Sequence, residues 1–152
     1  MIGICGDNCE LCPRFVATRS GRPEDLLEVK ALWVRLGLRD PAFPTERLAC
    51  SGCTPENECA YPEVRACAHE NSAVNCGVCP SYPCGLIAAV FAGAEQLRSR
   101  AARVCTPEEF SALEGAFFSK KQNLARQLLR PDLDVVEDRS ARHGIGVKEE
   151  AD

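Results

Sequence analysis

The sequence predicts a mainly α-helical protein in which a helical body carries irregular cysteine-rich loops, with room for a small α+β element. Three observations carry this. Two stretches, near residues 23–37 and 84–103, repeat apolar residues at helical spacing. A third helix opens with a strong start signal at Thr106. Between them, residues 40–84 hold only seven large apolar side chains (Phe43, Leu48, Tyr61, Val64, Val74, Val78 and Tyr82) but six of ten prolines and seven of eleven cysteines.

Taken in order, Ser20-Gly21-Arg22-Pro23 reads as a turn into the first helix. Pro23 suits an opening position, and Glu24 and Asp25 suit the positive helix start. Leu26, Val29, Trp33 and Leu36 then share one face, Trp33 reading as a core anchor, and Gly37 is a natural stop. A short helical turn is expected from Pro62 through Val64 to Ala68. Leu86, Ile87, Val90, Phe91, Ala94 and Leu97 form the next amphipathic stretch, with Arg98, Arg100 and Arg103 at its negative end. Thr106-Pro107-Glu108-Glu109 combines a cap residue, a proline and a glutamate three places on. Phe110, Leu113, Phe117, Leu124 and Leu128 continue one face of a single helix that Arg130-Pro131 closes. The organisation expected is therefore a cysteine-rich region over 1–105, a helix over 106–130 packed on it and a tail over 131–152, all in one domain.

A chain of 152 residues buries roughly 70% of its unfolded surface, so its size does not call for cross-links. Eleven cysteines therefore need another explanation. Disulfides fit poorly. The start, MIGICGDNCELCPRF, has neither the basic nor the apolar region of a secretion signal, and the cysteine count is odd. A cytoplasmic protein with reduced thiols is expected, and no apolar run is long enough to cross a membrane.

The spacing points to metal. Cys9/Cys12, Cys50/Cys53 and Cys76/Cys79 are three pairs separated by two residues, a geometry in which two thiolates face one ion from a tight turn. Cys5, Cys59, Cys67 and Cys84 bring the candidate ligands to ten. Soft thiolates select zinc, iron–sulfur clusters or copper(I). Two or more zinc ions are the first expectation and an iron–sulfur cluster the alternative. Metal bonds would also hold residues 40–84, which lack the apolar residues for a core of their own. Several partitions of the ten are open. Cys50/Cys53 and Cys76/Cys79 could share an ion, and the Cys5, Cys9, Cys12 triplet could take a fourth ligand from Cys59, Cys67 or Cys84. His69 reads as a surface residue of a helical turn rather than a ligand. Cys105 lies outside the pattern, and His143 in the tail carries no signal. Cys59 to Cys67 and Cys76 to Cys84 are equally spaced, a faint internal echo in which Pro62 stands where the second copy has Cys79.

These motifs resemble a known family. Cys5-Gly6-Asp7-Asn8-Cys9-Glu10-Leu11-Cys12-Pro13, Trp33, Cys50-Ser51-Gly52-Cys53, Arg65-Ala66-Cys67-Ala68 and Cys76-Gly77-Val78-Cys79-Pro80-Ser81-Tyr82-Pro83-Cys84 are similar to the domain of unknown function 3795 family of bacterial and archaeal proteins. Phe117-Phe118-Ser119-Lys120 and Asn123-Leu124 look familiar too. The resemblance implies zinc binding and no activity, and it implies that one family ligand position is lost at Pro62.

Charge argues against one common role for small zinc modules. The net charge is −4, and residues 88–152 hold ten Lys or Arg against eleven Asp or Glu, so the general attraction to nucleic acid is missing. No His or Glu stands in a recognisable general-base position beside the cysteines. A non-catalytic zinc scaffold offering a surface to a protein partner is the leading expectation. A cluster-bearing electron carrier and a thiol-redox or metal-handling protein are the alternatives.

Overall fold

The computed structural model describes residues 1–128. The expectations for Pro131, His143 and the remaining tail lie outside the described residues. The architecture is mainly α-helical. Helices α1 (Pro13–Ser20), α2 (Pro23–Arg35), α3 (Pro62–Glu70), α4 (Gly85–Val104), α5 (Pro107–Leu113) and α6 (Lys120–Leu128) are joined by loops and short 3₁₀ turns. Extended pairing among the described residues is confined to one antiparallel bridge between Ile2 and Asn8.

Local chemistry explains most boundaries. Pro13, Pro23, Pro62 and Pro107 each stand in the first turn of a helix, where no backbone N–H is needed. α2 ends just before Gly37, which takes a left-handed φ of 65°. Thr106 forms a full capping box with Glu109, the two residues exchanging side-chain to backbone hydrogen bonds.

Three elements differ from the sequence expectation. α1 follows Cys12 directly, where only a cysteine-bearing start was expected, and it buries Arg14 and Ala17. The turn expected at Pro62 is a helix of nine residues. The single helix expected over 106–130 is broken by a π-helical turn, Glu114–Phe118, and by Ser119. The physical reason lies at the N-terminus. The carbonyl of Ala116 accepts a hydrogen bond from Asn8 N–H at 2.9 Å, so the loop of the first cysteine motif docks where a regular helix would continue.

The interior has two centres. One gathers Val29, Leu32, Trp33 and Leu36 of α2 with Leu48, Ala101 and Leu113. Trp33 is 5% exposed and its ring meets Phe117 at 6.1 Å between centroids. The other gathers Ile4 and Cys5 with Val64 and Ala68 of α3, Ile87 and Val90 of α4, and Leu124 of α6. α6 closes against the cysteine motifs. Asn123 donates to Gly6 O at 2.9 Å, and Lys120 pairs with Asp7. A side chain on Gly77 would stand 2.5 Å from Leu124 O, so only glycine lets that turn approach α6.

Residues 40–84, poor in apolar residues, are held largely by two arginines. Arg14 from α1 donates to the carbonyls of Leu48, Ala49 and Glu58. Arg65 from α3 donates to Thr54 O at 2.7 Å and Asn57 O at 2.9 Å. Each guanidinium satisfies several loop carbonyls at once, which replaces the sheet or helix ladder this stretch cannot form.

Candidate metal centres

All eleven cysteines are free thiols, and the fold sorts ten of them into two groups and two outliers. The first group comes from the start of the chain and the middle loop. Cys9 opens a 3₁₀ turn (Cys9–Leu11), and the N–H of Cys12 returns to the carbonyl of Cys9 at 3.1 Å. Cys50 is placed by its N–H on Thr18 Oγ1 of α1 at 2.9 Å. A side chain on Gly3 would stand 3.1 Å from Cys53 Sγ and 3.2 Å from Cys9 Sγ, so the two sulfurs close over the space this glycine leaves.

Their acidities follow from that contact. A hydrogen bond from Cys9 stabilises the Cys53 thiolate and lowers Cys53 to about 6, helped by Ile4 N–H and the Arg65 charge against the opposing effect of burial. The same bond, then burial, raises Cys9. Burial raises Cys12 as well, although the N–H groups of Phe15 and Arg14 at the start of α1 favour its thiolate. Cys9, Cys12, Cys50 and Cys53 border a cavity of about 190 Å³, which Cys5 and Cys59 also reach.

The second group is Cys67, Cys76, Cys79 and Cys84. Cys67 lies on α3, Cys76 opens a 3₁₀ turn (Cys76–Val78), the N–H of Cys79 returns to Cys76 O at 3.2 Å, and Cys84 caps the start of α4. The buried Asn75 accepts from Gly77 N–H at 2.9 Å and fixes the turn, while Cys76 N–H reaches Ile4 O at 2.9 Å. The four thiols surround a void of about 20 Å³, walled by apolar residues such as Val64, Ala68 and Ile87. A space of that size holds one water molecule or one ion. Burial, and then the crowding of Cys84, Cys79 and Cys67, pushes Cys76 up to about 11. A cation in the void would reverse that balance.

Cys5 reaches the cavity of the first group from a different polar setting. It is 7% exposed and donates to Asp7 Oδ2 at 3.3 Å, with Lys120 Nζ at 3.9 Å. Burial and the Asp7 charge raise its pKa in this buried polar cluster. Lys120 is 3% exposed and also lies 5.2 Å from the Tyr61 ring. Burial acts to lower Lys120, but Asp7, Cys5 and Tyr61 outweigh it and hold the ammonium above the ordinary lysine range. Cys59 accepts from Tyr61 N–H at 3.3 Å. Cys105 caps α4 beside the first core, away from both groups. His69 is exposed on α3, as its position suggested.

The fold therefore separates pairs whose spacing left them free to join. Cys50/Cys53 sit with Cys9/Cys12, not with Cys76/Cys79, and Cys67 and Cys84 serve the second group rather than the N-terminal triplet. Among the described residues, no three His, Cys, Asp or Glu side chains converge closely enough to hold an ion as they stand. By donor chemistry the two groups fit a tetrahedral thiolate ion, each with a tight turn whose second cysteine returns its N–H to the first. Arg14, Arg65 and Lys120 are the supporting residues that the cysteine pattern did not single out. Arg65 and Lys120 stand within the motifs Arg65-Ala66-Cys67-Ala68 and Phe117-Phe118-Ser119-Lys120 that carry the family resemblance, and Arg14 follows Cys12 by two residues; that was the available signal.

A family model described as a protein of unknown function, DUF3795, matches residues 1–89. The chain belongs to this family. The matched region contains all ten grouped and outlying motif cysteines and stops before Lys120, so α6 completes from outside it a cluster that Cys5 and Asp7 begin inside it. No curated protein and no solved structure matches the chain. No described helix is long and apolar enough to cross a membrane.

Proposed function

We propose that the protein binds zinc through two separate four-cysteine sets, Cys9/Cys12/Cys50/Cys53 and Cys67/Cys76/Cys79/Cys84, and acts as a non-catalytic, cytoplasmic scaffold for a protein partner. The observation that carries this is the second set. Four thiols from two helices and a tight turn surround one ion-sized void with apolar walls. Asn71 Nδ2 stands 3.6 Å from Cys67 Sγ, a donor suited to a thiolate. Bound zinc would supply charge to hold the four sulfurs together, and as a four-thiolate site it leaves no open position for a substrate. The first set is supported by the Cys9–Cys53 contact and by the common cavity that Cys9, Cys12, Cys50 and Cys53 border.

The test is elemental analysis of protein purified without oxygen, combined with its visible spectrum. About two zinc ions per chain and no absorbance near ~400 nm is the expected result. Iron with a yellow-brown colour would replace zinc by a cluster. A metal-free chain with few titratable thiols would remove the reading altogether.

A further inference from the structure

The two cavities that the cysteines border differ in size by about tenfold, and the larger has more thiols than one ion can use. Cys9, Cys12, Cys50 and Cys53 complete one tetrahedral ion. Cys5 and Cys59 reach the same chamber of about 190 Å³, whereas the void of about 20 Å³ meets only the four thiols of the second group. Each extra sulfur already has a donor suited to a thiolate. Tyr61 N–H donates to Cys59 Sγ at 3.3 Å, and Lys120 Nζ donates to Cys5 Sγ at 3.9 Å.

Charge permits a second ion here and not in the other void. Arg14, Arg39, Arg65 and Lys120 line the chamber against only Asp7 and Glu58, while no charged residue lines the small void. A divalent ion that displaces the protons of two thiols and releases them to solvent adds no net charge. One ion with four thiolates and two ions with six carry the same −2, so the surrounding cations balance either state equally well. Two tetrahedral ions have eight positions, and six thiolates fill them when two of the six are shared. The second ion binds after the first, because Cys5 must give up its hydrogen bond to Asp7 Oδ2 at 3.3 Å.

We propose that the chamber is a two-ion thiolate site. Beyond the zinc held by Cys9, Cys12, Cys50 and Cys53, it takes up a second zinc ion through Cys5, Cys59 and two thiolates shared with the first. This rests on zinc binding at the first set and extends its capacity, so that a chain holding two ions has room for a third.

The test starts from full chain purified without oxygen and dialysed against excess zinc, then desalted. Elemental analysis should show the count rising from about two to about three per chain. In the double variant Cys5→Ser with Cys59→Ser the count should stay near two, with circular dichroism unchanged. Cobalt(II), which occupies the same thiolate sites, supplies a second readout on the unaltered chain. As the third cobalt enters, its shared sulfurs should couple the two spins in the chamber, and the paramagnetic resonance intensity should fall. A count held at two in excess zinc, a third zinc retained by the folded double variant, or an intensity that rises with the third cobalt would each overturn the proposal. If the double variant does not fold, the cobalt measurement still decides it. A count held at two removes this proposal alone, whereas a metal-free or iron-bearing chain removes it together with the zinc reading.

Discussion

The two cysteine groups share a motif and differ in their surroundings. Cys67, Cys76, Cys79 and Cys84 enclose about 20 Å³ between α3, a 3₁₀ turn and the start of α4, with aliphatic walls. Cys9, Cys12, Cys50 and Cys53 border about 190 Å³, and their cavity is shared with Arg14, Arg39, Arg65, Asp7 and Lys120. A thiol in the first environment is discouraged from ionising, as Cys76 shows. In the second the effect is divided: a neighbouring thiol, an N–H group and an arginine lower Cys53, while the same thiol contact and burial raise Cys9 and burial raises Cys12. Identical two-residue spacing thus borders a small apolar void in one place and the rim of a chamber in the other. What differs is the walls, and the walls come from elements distant in sequence.

The largest effect separating the two should come from the ligands themselves. Cys76→Ala with Cys79→Ala should remove one zinc per chain and prevent stable folding. A structural site contributes on the order of 10–16 kcal/mol in small modules, comparable to the whole stability of a domain. Elemental analysis and circular dichroism would check this. A folded protein with unchanged zinc would break the comparison.

Next in size is Leu124→Ala. Leu124 is fully buried against Ile4, Cys5 and Ile87, so about 2–5 kcal/mol should be lost in denaturant unfolding. The second zinc should leave at lower chelator concentration, because Leu124 O backs the Gly77 turn.

Lys120→Met tests the other side. Leaving Asp7 with its buried partner gone should cost about 3 kcal/mol, near the low end for broken buried pairs because Asp7 keeps 21% exposure. Adding Asp7→Asn should recover much of that loss. No recovery in the double variant would mean that packing of the lysine stem, rather than charge, is what counts.

The smallest effect is Thr106→Ala, about 1 kcal/mol from losing the capping box, with zinc content unchanged at both groups.

Much of the helical framework was legible because it is set locally. Pro23, Thr106 and the apolar faces of α2 and α4 act within a few residues, and the structure has helices at those places. α1 was not legible, since its buried face is chiefly Arg14 and Ala17, and the value of Arg14 lies in carbonyls more than thirty residues away. The π-helical break at Glu114–Phe118 was hidden for the same reason, because it answers to Asn8. Spacing named the ten cysteines but could not assign them. A pair separated by two residues specifies its own turn and says nothing about which other pair faces it. Cys5 shows the limit most clearly. It opens the most distinctive motif in the chain, yet its thiol faces Asp7 and Lys120.

The docking of α6 has a consequence for biosynthesis. Gly6, Asp7 and the Gly77 turn reach their final neighbours only when Lys120, Asn123 and Leu124 are in place, and these are made last among the described residues. On a ribosome adding about 5–20 residues per second, the earlier cysteines emerge several seconds before the helix that clamps them. For that interval the turns of the first and last cysteine motifs lack the partners on α6 that fix them in the folded protein.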